Sequence, residues 1–342
     1  LILTITRRCN LRCAYCPTVK DGLPDLSVDD VRRGIDLFVA RHGGGDIKLF
    51  GGEPLLRPDL VRAAMRHIGD TSDVSLYVST NGACITEDIL ADFQDNPRVT
   101  LTLSLDGVAV DHDGLRRPVP GTAPSHATIV AWLPRLLTLP RFVVTQTIAP
   151  SKAARAHTNF RALRSLGVRR FNLLPGYYLP WQPAQLAALA ASFDGIAGDF
   201  EAAWAGGDRL YLRNLFTRAP TPFYNTGFVV DVDRRIHASN LVLAEAVGDR
   251  TAVGTLDDPP SPDTLAAAAA RIPALLAEFY PPDVLASTAA ADAALTRLCD
   301  RLYPSYFRMR ALLGRGGSPP ATPPRAAADP GAMGSPAGGE PW

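Results

Sequence analysis

The sequence predicts an α/β protein folded as a half-closed barrel of six β/α units, and three observations carry that expectation. Short apolar runs alternate with amphipathic helical stretches, the rhythm of parallel strands joined by crossover helices. Several runs are apolar throughout, which suits strands covered on both faces. The chemically distinctive residues Cys9, Gly51, Ser79, Ser104 and Leu174 fall at or just past the ends of these runs, where barrel sites converge. A doubly wound open sheet shares the first two features, so the third selects the barrel.

In chain order the predicted strands are Leu1–Thr6, Ile47–Phe50, Val74–Ser79, Val99–Leu105, Phe142–Ile148 and Arg170–Leu174. Helical stripes lie between them at Val28–His42, Asp59–Ile68, Glu87–Phe93, His126–Leu137 and Ala154–Leu166, followed by an Ala-rich stretch at Pro183–Ala205. After Trp204 the rhythm changes. Phe228–Val232 and Arg235–His237 read as short strands joined by the turn-compatible pair Asp233-Arg234. Pro259, Pro260 and Pro262 break the chain, and Asp263–Glu278 and Pro282–Leu312 read as helices packed against the barrel. From Gly314 onward Gly, Pro, Ala and Ser dominate without periodicity, the composition of a disordered tail. The expected organisation is a barrel core over residues 1–210, a hairpin region over 211–260, C-terminal helices over 261–313 and a tail over 314–342.

With 342 residues and 46% hydrophobic content the chain can bury a large core. A net charge of +1 gives no electrostatic case for nucleic acid or a membrane surface as partner. No apolar run approaches the roughly 18 to 20 residues of a membrane span. Only Lys20, Lys48 and Lys152 among the 35 basic residues are lysine, a skew that with abundant Ala, Gly and Pro reads as coding bias. Of five cysteines three are clustered, a usage that points to a reducing cytoplasm.

Those three stand in the run Cys9-Asn10-Leu11-Arg12-Cys13-Ala14-Tyr15-Cys16. Cubane iron-sulfur clusters usually take four Cys, so a triad leaves one iron open to a substrate or cofactor. Structural zinc would need a fourth ligand nearby, and no His precedes His42 while the next Cys is Cys84.

The triad, with Tyr15 before its last Cys, is joined in order by Phe50-Gly51-Gly52-Glu53-Pro54 after the second strand and Ser104-Leu105-Asp106-Gly107 after the fourth. In this combination, over roughly the first 175 to 205 residues, the sequence resembles the radical S-adenosylmethionine superfamily. The resemblance implies a partial (β/α)6 TIM-like barrel, one [4Fe-4S] cluster on Cys9, Cys13 and Cys16, and S-adenosylmethionine bound to the open iron. It further implies reductive cleavage of that cofactor to a 5′-deoxyadenosyl radical, and a flavodoxin- or ferredoxin-type electron donor.

By the same resemblance Gly51, Gly52 and Glu53 meet the methionine ammonium, Ser104 and Arg116 contact the carboxylate and ribose, and Leu174 offers backbone contacts to adenine. Tyr15 lies near adenine or supports the cluster loop, and Ser79 and Asn81, in Ser79-Thr80-Asn81-Gly82, sit beside the cofactor or make an ordinary turn. Tyr177, Tyr178 and Trp181 are expected to cover the barrel rim. Cys84 is a candidate hydrogen donor to a substrate radical, and Cys299 a weaker one.

The chain departs from the peptide-modifying branch in its C-terminal part. Residues 229–240 and Val253-Gly254-Thr255-Leu256 are similar to that branch's SPASM or twitch hairpin, but Ser239 and Asn240 stand where a Cys and an acidic residue belong, and Tyr224-Asn225 shows no Cys upstream. The expectation is an enzyme abstracting hydrogen from a peptide or natural-product intermediate, with no auxiliary cluster. A small-molecule substrate, a sugar or nucleoside, is the alternative within the family, and a non-catalytic cluster- or S-adenosylmethionine-binding protein the alternative outside it.

Overall fold

In the computed structural model, residues 1–312 are described apart from Asp21, residues 70–72, residues 218–222, Asn225 and residues 245–246. The tail expected over 314–342 lies outside the described residues. The strands are β1 (Ile2–Thr6), β2 (Leu11–Cys13), β3 (Gly45–Gly51), β4 (Val74–Thr80), β5 (Val99–Ser104), β6 (Arg116–Pro118), β7 (Phe142–Ile148), β8 (Arg170–Pro175), β9 (Tyr211–Leu212), β10 (Thr226–Val230), β11 (Arg235–Ser239) and β12 (Ala252–Thr255). The helices are α1 (Val28–His42), α2 (Pro58–His67), α3 (Glu87–Asp95), α4 (Ala109–Leu115), α5 (Ser125–Leu136), α6 (Ala156–Ser165), α7 (Pro183–Ala205), α8 (Pro262–Ala270), α9 (Ile272–Phe279) and α10 (Pro282–Leu312).

Six strands, β1, β3, β4, β5, β7 and β8, run parallel and adjacent in chain order, as the β/α rhythm predicts. Alternation along them separates two faces. One face carries Leu3, Ile5, Ile47, Leu49, Leu76, Val78, Leu101, Leu103, Phe171 and Leu173, all buried in one core with the apolar stripes of the helices, such as Val31, Ile35 and Phe38 of α1. The other carries Lys48, Phe50, Ser79, Thr102, Ser104, Asn172 and Leu174, each only half-buried, so it lines an accessible interior. The sheet curls strongly: Arg213, just after β9, lays its guanidinium 4.4 Å from the centroid of Tyr77 on β4, although four strand pairings separate them.

Local signals set the element ends. Helix α1 starts at Ser27, whose hydroxyl accepts from the Asp30 N–H while the Asp30 carboxylate accepts from the Ser27 N–H, and it stops at Gly43 with φ 73°.

The hairpin region extends the sheet in a way periodicity does not announce: β10 pairs parallel with β1, and β11 and β12 follow antiparallel. The expected turn is displaced. Strand β10 ends at Val230, and the connection Asp231–Arg234 closes with Arg234 at φ 68°, where its side chain pairs with Asp30 and Asp257. The single helix expected over Asp263–Glu278 is two, because Pro273 lacks the N–H that would continue α8 and instead opens α9. The small β2–β6 pair, α4 and β9 are too short for a periodic signal.

Helix α4 places His112 in the core, where Nδ1 accepts from the Asp106 N–H at 3.2 Å and Nε2 lies 2.9 Å from the Ser125 hydroxyl. Burial, reinforced by Arg116, pushes this imidazole down to about 3. The unfolded chain keeps a value near ~6.5, so stability is whole above that pH and falls as the unfolded state takes up a proton the folded state refuses. Between pH 7 and pH 5 the loss from this group should be about 2 kcal/mol, read from denaturant midpoints, and His112→Gln should flatten the slope. In the outer core Phe160 is fully buried with ring centroids 4.6 Å from Phe171 and 5.5 Å from Phe200. Truncation in Phe160→Ala should cost roughly 3–5 kcal/mol in the same measurement.

Candidate functional site

The loop following β1 carries Cys9 and Cys16 around the short strand β2, which ends at Cys13. Strand β2 pairs antiparallel with β6, setting Cys13 opposite Arg116, and the Ala14 N–H bonds the Leu115 carbonyl at 2.8 Å. The glycines of the next strand end hold the loop from below. A Cβ on Gly51 would lie 1.9 Å from the Thr6 carbonyl oxygen and one on Gly52 2.1 Å from that of Arg8. The Gly52 and Glu53 N–H groups donate to those same two carbonyls at 2.8 and 2.9 Å. The close backbone approach expected of Gly51 and Gly52 is therefore made to the cysteine loop, and the amides of Gly52 and Glu53 are spent there.

Glu53 is 1% exposed. Oε1 accepts from the Leu55 N–H and the Thr80 hydroxyl, and Oε2 accepts from the Asn81 N–H at 2.7 Å. Burial raises its pKa, opposed by these donors. Its first task is to tie the ends of β3 and β4 together, and Thr80 is the partner that sequence reasoning missed. The Asn81 side chain in turn donates to Asn10 Oδ1 at 2.8 Å and lies 3.9 Å from Cys9 Sγ. Asn10 reaches Cys84 Sγ at 3.5 Å, so Cys84 adjoins the cysteine loop. Burial, and then Glu53, pushes its thiol up to about 11.

Tyr15 and Arg116 converge on Asp106, a role that no local pattern in the sequence announces. The Tyr15 hydroxyl donates to Oδ2 at 2.7 Å, and Arg116 donates from Nε and Nη2 to the two oxygens at 2.9 Å each. The Thr147 N–H adds a fourth bond at 3.0 Å, and the Arg116 guanidinium stands 5.3 Å from the Tyr15 ring centroid. Burial raises the Tyr15 phenol well above its usual range, so it stays a neutral donor. Of the other predicted residues, Ser79, Ser104 and Leu174 are half-buried on the inner face, so the structure gathers them on one wall of the interior. Tyr177 bonds Asp292 of α10, Tyr178 packs tilted against Tyr224 and Tyr280, and Trp181 bonds the Gly176 carbonyl, so this aromatic run covers the rim beside α10. Cys299 is buried in α10.

Ser239, at the position of an expected ligand, accepts from the Leu241 N–H and is fully buried with Asn240. The hairpin is fastened to the triad loop, since Arg7 forks onto Asp231 and the Val19 N–H bonds the Leu243 carbonyl at 2.9 Å.

The donor set suits an iron-sulfur cluster. Cys9, Cys13 and Cys16 are free thiols, each partly accessible. Polar hydrogens already face the sulfurs: the Leu11 N–H on Cys9 and Lys20 Nζ on Cys16, both at 3.4 Å. Burial pushes Cys9 up to about 11 and raises Cys13, so without a bound cation these thiols hold their protons. Iron bound at such sulfurs removes that barrier.

Comparison with known proteins bears on the same residues. The model of the radical SAM superfamily matches residues 3–133. A GTP 3′,8-cyclase from Erythrobacter litoralis is 44% identical over 88 residues, 24% of this chain and 26% of that protein. The chain thus matches about a quarter to a third of the length of such curated relatives. Among solved structures, anSMEcpe with bound AdoMet and the Kp18Cys peptide superposes with a TM-score of 0.64 at 17% identity, covering 78% of this chain and 79% of that one. Streptococcus suis SuiB bound to S-adenosylmethionine gives 0.53 at 13% identity, covering 75% and 61%. These likenesses extend the shared fold well past the family match. The thiol triad, the glycine-braced loop beneath it and the match over residues 3–133 together identify that segment as a radical SAM domain.

Proposed function

We propose that the chain is a radical SAM enzyme that holds one [4Fe-4S] cluster on Cys9, Cys13 and Cys16 and acts on a small molecule bound inside the barrel. The observation that carries the reading is the triad itself: three free, partly accessible thiols on one braced loop at the barrel mouth. In this family the chemistry supplied by the bound groups is one-electron reductive cleavage of S-adenosylmethionine, yielding a 5′-deoxyadenosyl radical that takes hydrogen from an unactivated C–H bond.

The chain's own residues orient and shield. Carbonyls of the Gly51–Gly52 segment serve as acceptors for the methionine ammonium, which can only donate, while the Gly52 and Glu53 amides hold the loop. Asp106 holds Arg116 at one fixed angle beside Cys13, and a fixed guanidinium fork suits a carboxylate. Ser79, Asn81, Ser104 and Leu174 complete the wall on which ribose and adenine rest, and Tyr15 braces the loop through Asp106. The aromatic seal at Tyr177, Tyr178 and Trp181 keeps water from a reactive intermediate. A flavodoxin- or ferredoxin-type protein is the electron donor.

The nature of the substrate rests on the sequence match. The peptide reading drew on the hairpin, and the likeness to peptide-bound neighbours is one of fold. The sequence identity falls on GTP 3′,8-cyclases, which by name act on a nucleotide. That favours the small-molecule alternative.

Anaerobic reconstitution with iron, sulfide and dithionite should give a brown protein that releases 5′-deoxyadenosine from S-adenosylmethionine. Cys13→Ala should lose both colour and cleavage; a variant retaining both would remove Cys13 from the ligand set. For Cys84→Ala, cofactor cleavage should persist within about twofold by chromatography while substrate turnover falls if the thiol returns hydrogen. Loss of cleavage itself would instead give Cys84 a part in holding the loop.

A further inference from the structure

The inner barrel face carries two cations, Lys48 and Arg213, close together. Lys48 lies on β3 three residues before Gly51, hence about 10 Å below the rim at roughly 3.3 Å per residue. Its register partner on β4 is Tyr77, and over that ring lies Arg213, so two cations from opposite sides of the curled sheet meet in one place. Lys48 Nζ stands 5.0 Å from the Phe50 ring centroid. Among the described residues neither cation forms an ion pair with a carboxylate, although 20 other ion pairs involve arginine.

Arg213 is also held in place. The Asn214 side chain accepts from the Leu173 N–H at 2.8 Å and donates to the Leu173 carbonyl at 2.9 Å, pinning the turn that projects Arg213 across the barrel. Burial, and then Arg213, pushes Lys48 down to about 8. Two unneutralised cations in a partly desolvated interior are costly unless a ligand brings the opposite charge.

Resting on the reading of the barrel as a substrate chamber, we infer that Lys48 and Arg213 form an anion subsite for the phosphate or carboxylate end of the substrate. The substrate stands with its anionic end on the barrel floor and its reacting carbon toward the triad at the rim. A span of about 10 Å suits a molecule of nucleotide or sugar-phosphate size.

The test is calorimetric titration of the full chain with pyrophosphate and with citrate, at fixed ionic strength, in wild type, Lys48→Met, Lys48→Arg and Arg213→Gln. Wild type should bind at least one probe, and the Met and Gln variants should each weaken it roughly 10- to 100-fold, the worth of a charged hydrogen bond. Lys48→Arg, which keeps the charge, should retain most of the affinity and so separates lost recognition from lost folding. Tighter pyrophosphate assigns a phosphate, tighter citrate a carboxylate. No binding in wild type, or binding by Lys48→Met and Arg213→Gln as tight as that of wild type, overturns the subsite. Release of 5′-deoxyadenosine is scored on the same samples: anion binding without it would sink the enzyme reading and leave the subsite standing.

Discussion

The interaction on which the rest depends is the contact between two backbone segments with no side chain between them. The end of β3 lies so close to the Thr6–Arg8 segment that a methyl group at Gly51 or Gly52 would overlap a carbonyl oxygen. Two N–H···O bonds cross that contact, and the buried Glu53 carboxylate continues it to β4. A loop bearing three thiols has little reason to hold still by itself: it is short of apolar residues and its one strand has three residues. Steric exclusion and carbonyl pairing from a neighbouring strand end supply the rigidity that a metal site needs.

A second brace acts from the other side through charge. Asp106 collects Arg116, Tyr15 and the Thr147 amide, and so joins β5, β6, β7 and the triad loop at one buried carboxylate. Such a pair is worth little as net stability, because burial of both charges offsets their attraction. Its effect is on position. Arg116 faces Cys13 across a strand pair, and its fork on Asp106 leaves it one orientation.

Much of this was legible in the sequence. The strands of the barrel stood out because each is an apolar run, and the thiol loop because Cys is rare and its spacing distinctive. What stayed hidden has a common physical cause. Asp106, Thr80 and Asn10 matter through partners far along the chain, and no local pattern marks an aspartate that will meet an arginine ten residues on rather than water. Parallel pairing of β10 with β1 likewise joins residues more than 200 positions apart. Lysine scarcity read as coding bias, yet one of the three lysines stands inside the barrel, a placement composition cannot convey. The displaced turn at Asp231–Arg234 and the split at Pro273 are boundary effects, where one backbone dihedral or one missing N–H outweighs periodicity.

The hairpin gains significance from where it is fastened. Arg7, two residues before Cys9, forks onto Asp231 at the foot of the β10–β11 turn, and Val19, three residues after Cys16, bonds into the segment that follows β11. Both flanks of the thiol loop are thereby moored to an element that carries no cysteine of its own. A region without a cysteine can still govern the metal centre mechanically: a load on the hairpin would reach the sulfurs across only two or three peptide bonds at each end.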